Sequence, residues 1–230
     1  MSATDSLRKL FTRVSPGYDK VNRVLSIGLD ILWRRLALRL LSREVQKDDL
    51  NILDLAAGTG DFSIQAARAF PNAKIQSVDI TPAMMEIGKR KVDAARLSER
   101  ISFAEGNAMD LQFADDTFDC ITCAFGFRNF PSAEKSLLES SRVLKKGGCL
   151  IVLEFFRPAP RLARFLELWI GVVSRVFARS HLKEYRYLGS SIKNTHAVID
   201  FISIANGVGL ELKHRRYYFP CCSCLVFKAI

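Results

Sequence analysis

Between Asn51 and Asp61 the chain reads Asn-Ile-Leu-Asp-Leu-Ala-Ala-Gly-Thr-Gly-Asp. The apolar run Ile52–Leu55 has the character of a buried strand, and it leads straight into Gly58-Thr59-Gly60. An apolar pattern at helical spacing follows from Phe62 to Phe70. Strand, glycine turn and helix in that order bring backbone N–H groups close to a ligand. A P-loop would require Gly-Lys-Ser/Thr after the turn, whereas Gly60 is followed by Asp61. A dinucleotide fingerprint would require a small residue three places after Gly60, and Ser63 meets that only loosely.

The expected ligand is therefore a nucleoside without a pyrophosphate. S-adenosylmethionine (SAM) fits, because its sulfonium and ammonium groups tolerate an acid such as Asp54 beside the loop formed by Gly58, Thr59 and Gly60. A second strand pattern, Lys74–Asp79, ends in an acid 19 residues after Gly60. In doubly wound folds an acid at about this distance accepts from the ribose hydroxyls. Asp79 is assigned that role here, with helix capping near Pro82 as its competing local use.

Strand and helix patterns then alternate. Strands are expected at 51–55, 74–79, 101–105, 118–124 and 149–155, with helices at 61–70, 82–95 and 132–143. Such alternation argues for a parallel sheet with helices on both faces. Residues 6–14 and 18–42 precede it as helices, 160–179 and 195–208 follow as helices, and 210–219 and 222–229 suggest an antiparallel hairpin closing one edge. The expected organisation is one domain over residues 1–230: an N-terminal helical cap (1–45), a cofactor core (46–156), a helical insert or lid (157–194), and a C-terminal helix and hairpin (195–230).

Ligands in such sheets lie outside the carboxyl ends of the strands. The third strand runs into Glu105-Gly-Asn107-Ala108, where the Asn107 amide can read adenine and the Ala108 N–H can assist. Turn geometry is the alternative reason for an Asn there. The fourth strand ends in Ala124-Phe-Gly-Phe-Arg128-Asn129-Phe130-Pro131. An Arg and an Asn between aromatics at a strand end are expected to face a ligand.

The 230 residues are 49% hydrophobic, ample for one core, and no segment has the apolar length of a membrane span. Residues 1–10 lack a signal-peptide core, so a cytoplasmic chain is expected. Of the formal charge of +10, the middle of the chain carries none: residues 1–50 hold 10 Lys/Arg against 6 Asp/Glu, 51–154 hold 12 against 14, and 155–230 hold 12 against 4. Basic flanks suit an anionic membrane or nucleic acid as well as a merely solvated surface. Six cysteines make no disulfide framework in a cytosolic chain of this length. Cys120 and Cys123 have CxxC spacing but lie on a strand, where i and i+3 point to opposite faces, so no metal site is expected. Cys221, Cys222 and Cys224 are read as packed or partly exposed thiols, and His181, His196 and His214 join no recognisable site.

The chain also carries Tyr18-Asp19-Lys-Val-Asn22-Arg-Val-Leu-Ser26-Ile-Gly28-Leu-Asp30-Ile-Leu-Trp33, the segment Arg142–Phe156, the loop Phe125–Asn129 and the segment Tyr185–Ile192. Together these resemble the quinone-biosynthesis C-methyltransferases, which methylate demethylmenaquinol or the polyprenyl benzoquinol precursor of ubiquinone. The departures are Asp30 for a usual His, Val21 for Met, Ala124 for Ser, Lys146 for Pro and Phe156 for Ser. The resemblance implies a class I SAM-dependent methyltransferase (Rossmann-like) fold. Its sheet would have seven strands, mostly parallel, with an antiparallel C-terminal hairpin, N-terminal helices and an inserted lid helix.

The resemblance further implies cofactor contacts at Thr59, Asp79, Asn107 and Ala108, and a quinol pocket lined by Tyr18, Arg128 and Asn129. Arg128 would stabilise a developing phenolate rather than act as a base, Asn129 would orient the ring oxygen, and Tyr18 would pack on or hydrogen-bond the ring. The apolar residues of 160–179, from Leu162 to Phe177, with Arg161, Arg164, Arg175 and Arg179, would form a lid or meet lipid headgroups. The partners expected are a polyprenyl quinol and the anionic inner face of a membrane, with a homo-oligomer left open and nucleic acid excluded. Three alternatives stay open at this level: a methyltransferase acting on another small molecule or lipid, an RNA methyltransferase (whose Asn-Pro-Pro-Tyr-type and catalytic Cys motifs are missing), and a non-catalytic SAM- or lipid-binding protein.

Overall fold

In the computed structural model, residues 3–177, 187, 191–192, 195–218 and 222–230 are described. Three N-terminal helices, α1 (Ala3–Val14), α2 (Tyr18–Leu25) and α3 (Leu29–Leu41), precede an alternating run. That run is β1 (Asn51–Leu55), α4 (Asp61–Ala69), β2 (Lys74–Asp79), α5 (Pro82–Ala94), β3 (Ile101–Glu105), β4 (Phe118–Ala124), α6 (Ala133–Val143) and β5 (Leu144–Phe155). Helix α7 (Pro160–Phe177) comes next, then α8 (Val198–Gly207) and the strands β6 (Leu210–Tyr218) and β7 (Cys222–Ala229).

The seven strands form one sheet in the order β3-β2-β1-β4-β5-β7-β6. β1 to β5 are parallel, and β7 lies antiparallel between β5 and β6. Because both faces are covered, the central strands are continuous apolar runs rather than alternating ones. Ile52, Ile75, Cys120 and Ile151 face one core with Trp33, Leu41 and Phe62. Their neighbours Leu53, Val78, Ile121 and Val152 face the other core with Leu137 and Phe201. Cys120 and Cys123 thus fall on opposite faces, as strand spacing requires, and both are buried. Cys222 and Cys224 are likewise buried, while Cys221, His181 and Arg179 lie outside the described residues.

Four expected elements differ, the first being α1, which starts at Ala3 and not at residue 6. The single helix expected over 18–42 is two, because Ile27 (φ 53°) and Gly28 (φ 76°) turn left-handed and the Gly28 N–H bonds back to Arg23 O at 2.8 Å, ending α2. Strand β5 starts at Leu144, not 149; Leu144 pairs with Phe118 before a register shift brings Cys149 opposite Cys120. Helix α8 starts at Val198, three residues later than expected.

The strand order changes direction at β1, which has β2 on one side and β4 on the other. The carboxyl ends of these two parallel pairs open the crevice in which ligands of such sheets lie. The N-terminal helices sit over that crevice: Thr4, Leu7, Phe11 and Tyr18 line the same cleft as the ends of β1, β2 and β4.

Candidate functional site

Three adjoining clefts open at the carboxyl ends of the strands, and Tyr18 lines all of them. The first, with a cavity volume of about 80 Å³, runs past Gly58, Asp79, Asn107 and Ala108 to Gly126 and Asn129. The second, about 240 Å³, is walled by Leu25, Trp33, Phe125, Phe155, Trp169 and Ile170, with Asp30, Arg34 and Arg128 as its charged groups. The third, about 40 Å³, follows the backbone from Ala56 to Thr59 and is lined also by Asp19, Asp30, Asp54, Asp61 and Arg34.

In the first cleft, Asp79 is nearly buried and uses both carboxylate oxygens on backbone: Oδ2 accepts from Gly58 N and Oδ1 from Thr81 N, each at 2.8 Å. Burial pushes its pKa above the usual carboxylate value, and those N–H groups oppose the rise without cancelling it. The side chain therefore ties the glycine loop to β2 while facing the cleft. Asn107 Oδ1 accepts from Met109 N at 3.0 Å, which fixes the turn that presents Asn107 and Ala108. The local geometry at Asn107 thus includes the turn role, with the residue still on the cleft lining.

The other loop residues divide. Gly58 lines the first and third clefts. Thr59 lines the third, where its Oγ1 donates to Asp19 Oδ1 at 2.6 Å. Gly60 lines none of the three; at φ 76° it packs so closely that a Cβ would sit 3.0 Å from the Phe103 ring and 3.6 Å from Gly88 Cα. Asp54 lines the third cleft, but both of its oxygens are taken, Oδ2 by Ser63 Oγ at 2.5 Å and Oδ1 by Thr122 Oγ1 at 2.7 Å. Its burial pushes the pKa up to about 6, against the lowering effect of those two hydroxyls.

The loop after β4 separates two neighbours that the sequence pairs. Phe125 has φ 63°, an uncommon value for a bulky residue and one found where a site over-determines the backbone. Its carbonyl accepts from Arg128 Nη1 at 2.7 Å and from Asn129 Nδ2 at 3.3 Å. Gly126 is held so tightly that a Cβ would come within 2.8 Å of the Ala56 Cβ and 2.7 Å of Cys123 Sγ. Beyond Gly126 a 3-10 turn, Phe127–Asn129, sends Arg128 into the second cleft and Asn129 into the first. Phe125 lines both, at the place where the two clefts adjoin.

Arg128 donates to Glu154 Oε1 at 2.6 Å, and its guanidinium lies 5.9 Å from the Phe125 ring centre and 5.7 Å from that of Phe155. Burial works against the guanidinium charge, yet the Glu154 carboxylate, by its charge and its hydrogen bond, outweighs it and holds the Arg128 pKa above its ordinary value. Tyr18 is pushed up by its own burial, so the phenol stays a neutral donor at neutral pH. Among the described residues, Arg128 Nε and Asn129 Oδ1 are buried without a hydrogen-bond partner. Buried polar atoms of that kind await a ligand or water.

The sequence reading assigned no role to the ionic cluster that joins the cap to the loop. Lys91 on α5 reaches Asp19 on α2 at 2.8 Å and Asp61 at 2.5 Å. Arg23 spans Asp30 and Asp61. Asp30, at the position of the usual His, is buried and accepts from Arg23, Arg34 and Ser26. Among the described residues no cluster of three His, Cys, Asp or Glu is arranged to hold a metal.

The sequence profile of the ubiE/COQ5 methyltransferase family matches residues 1–220. The chain belongs to this family. It is similar to a demethylmenaquinone methyltransferase of Bacteroides fragilis, 34% identical over 226 residues, covering 96% of this chain and 91% of the relative. It is similar also to the ubiquinone/menaquinone biosynthesis C-methyltransferase UbiE of Geotalea daltonii, 35% identical over 215 residues, covering 90% and 88%. Among solved structures, a SAM-dependent methyltransferase from Aquifex aeolicus superimposes with a TM-score of 0.66 at 15% identity, covering 92% of this chain and 98% of that one. The family member described here thus has the class I SAM-dependent methyltransferase fold, with the mostly parallel sheet and antiparallel hairpin that its sequence implies.

Proposed function

We propose that the chain moves the methyl group of SAM to a ring carbon of a polyprenylated quinol, demethylmenaquinol by preference and the benzoquinol precursor of ubiquinone as the second candidate. The observation that carries this reading is the pairing of two clefts that share Phe125: one built on the glycine loop and Asp79, the other mainly apolar with the fully buried guanidinium of Arg128 on its lining and Arg34, tied to Asp30, at its edge. Relatives named for demethylmenaquinone and ubiquinone/menaquinone methylation support the substrate class.

Asp79, Asn107 and Ala108 would hold the adenosine half of SAM in the first cleft, and Gly58 and Thr59 its amino-acid half in the third. The orphaned Asn129 Oδ1 and the carboxylate-rich third cleft suit a cationic nucleoside. When bound, SAM supplies an electrophilic methyl on a sulfonium, which passes in line to the ring carbon and leaves S-adenosylhomocysteine. The protein's part is to make that carbon nucleophilic and to aim it. Arg128, kept cationic by Glu154, stabilises the phenolate that forms as the adjacent hydroxyl gives up its proton, and the dienone left by C-methylation then loses the proton of the methylated carbon to solvent, which restores the aromatic ring. Tyr18, at the meeting of the three clefts, donates to or packs against the ring, and Asn129 orients the approach from the cofactor side. Alignment where the clefts adjoin supplies much of the acceleration.

Residues 1–45 would act as a cap and α7 as part of a lid, the remainder of the expected lid (157–194) lying largely outside the described residues. Phe165, Leu168, Val172 and Val176 of α7 are exposed, and Phe165 and Ile27 lie on the lining of the second cleft. That supports an enzyme resting on a membrane surface and taking its substrate's tail along α7, the inner, cytoplasmic face being the side proposed. No helix among the described residues is long and apolar enough to cross a membrane.

The test is a methyl-transfer assay with labelled SAM against both reduced acceptors in parallel, with mass spectrometry of the products. Ring methylation of either acceptor supports the reading and selects the pathway. Intact S-adenosylhomocysteine binding without transfer to either sinks it.

A further inference from the structure

Arg34 lies on α3, which no motif connects to the glycine loop, yet it lines both the third cleft and the second. Among the described residues it is the only cationic side chain on the lining of the third. Its guanidinium is fixed on two sides: Nη1 donates to Asp30 Oδ2 at 2.6 Å and to Asp30 O at 3.2 Å, and the plane lies 5.3 Å from the centre of the Phe125 ring. All those hydrogen bonds use Nη1. Among the described residues, Nε is buried and has no hydrogen-bond partner. An arginine anchored in this way presents its Nε–Nη2 edge, two parallel donors at the spacing of a carboxylate.

The acids around it are already engaged. Asp19 binds Thr59 and Lys91, Asp61 binds Lys91 and Arg23, and Asp54 binds Ser63 and Thr122. None of them satisfies the Arg34 edge. What the third cleft lacks is one anionic fork beside a field of carboxylates, and a zwitterionic α-amino acid supplies that: an ammonium for the acids and a carboxylate for the guanidinium. We propose that Arg34, positioned by Asp30, binds the α-carboxylate of the methionine moiety of SAM. This rests on the reading of SAM as co-substrate and adds the residue that recognises its amino-acid end. Asp30 is a positioning residue in this scheme; by holding Nη1 and leaving Nε–Nη2 open, it sets the angle of the fork. Because Arg34 also borders the second cleft, the same guanidinium is where the occupied cofactor site would be felt by the acceptor.

Binding of three probes separates this from other roles. S-adenosylhomocysteine carries the full amino acid, 5′-methylthioadenosine carries none of it, and decarboxylated SAM keeps the ammonium but lacks the carboxylate. Calorimetric titration of the intact chain and of Arg34→Gln is expected to show weaker binding of S-adenosylhomocysteine by the variant, by roughly 10- to 100-fold, the worth of a charge-assisted bidentate contact. Methylthioadenosine binding stays unchanged, which also certifies that the variant is folded. The intact chain discriminates against decarboxylated SAM, and the variant does not. Arg34→Lys, which keeps the charge and loses the fork, falls between. Equal weakening of S-adenosylhomocysteine and methylthioadenosine, or a variant altered only in its KM for the quinol, overturns the assignment. Failure of the intact chain to bind either nucleoside overturns the SAM reading beneath it.

Discussion

Arg128 and Glu154 form an ion pair at 2.6 Å with side chains only 4% and 1% exposed. Glu154 closes β5 and also accepts from the backbone N–H of Arg128 at 3.1 Å and of Phe155 at 2.7 Å. One carboxylate therefore holds the guanidinium, the turn that carries it and the end of the strand. Attraction between two such charges barely repays their lost hydration, and a pair of this kind is weak evidence for stability. Its retention in an apolar cleft makes sense if the cation is wanted there for chemistry.

That argument makes a separable prediction. Glu154→Gln leaves Arg128 buried without its counter-charge, and the expected cost is about 3–5 kcal/mol in urea unfolding, the usual penalty for stranding one partner. Replacing both partners, as Arg128→Met with Glu154→Gln, removes the stranded charge, keeps an amide acceptor for the backbone N–H groups that Glu154 holds, and restores most of that stability. S-adenosylhomocysteine binding is expected to survive in the double variant while turnover does not. A double variant that is stable and fully active would show that the guanidinium is architectural only.

Asp54 gives a pH prediction with a definite sign. Burial pushes its pKa up to about 6 from an ordinary value of 3.8, so the native protein favours the protonated acid. The stability this contributes is complete below the unfolded value and is lost as pH rises through about 6. Roughly two pK units at 1.36 kcal/mol each make the loss about 3 kcal/mol. Asp54→Asn keeps an acceptor for one hydroxyl, offers a donor to the other and does not titrate. Unfolding free energies measured in the absence of cofactor between pH 4 and pH 7.5 are therefore expected to diverge, the variant gaining on the parent by about 2–3 kcal/mol as pH rises. A gap that stays constant across the range would mean that Asp54 ionises alike in folded and unfolded chains.

The central strands were legible because their physics is local. Buried on both faces, β1 and β4 are largely apolar runs, β2 and the edge strand β3 keep shorter apolar stretches, and glycines, Pro82 and polar turns mark where they stop. The break at Ile27 and Gly28 was not legible, since the apolar spacing of Val24, Leu25 and Leu29 carries across it. Asp79, Asn107 and Ala108 could be nominated from strand ends alone, and the fold brings them to one cleft. The division of Arg128 from Asn129 could not, because it depends on a 3-10 turn whose neighbouring side chains leave in different directions. The cluster of Asp19, Arg23, Asp30, Arg34, Asp61 and Lys91 was invisible for another reason: Lys91 meets Asp19 across 72 residues, and charges on four different helices have no shared periodicity.

Helix α7 carries the prediction about the membrane. Phe165, Leu168, Val172 and Val176 follow helical spacing and are 53–71% exposed, with Arg161 and Arg164 also exposed at its start. The inner face is different: Ile170 and Val173 are buried, and Trp169 Nε1 donates to Leu25 O at 3.1 Å, closing the helix onto the cap. An apolar outer stripe bounded by arginines, with Phe165 on the lining of the second cleft, matches a helix lying in a lipid interface. Each arginine near an anionic surface is worth about 1 kcal/mol, so Arg161→Gln with Arg164→Gln should weaken binding to phosphatidylserine-containing vesicles by roughly 30-fold. Leu168→Ser with Val172→Ser should weaken binding to neutral vesicles as well, since the apolar term does not depend on lipid charge. Both pairs point away from the clefts, so turnover of a short-tailed, water-soluble quinol should be unchanged in either. Vesicle binding that is indifferent to both pairs and to salt would remove α7 from the membrane and leave its outer stripe to another partner.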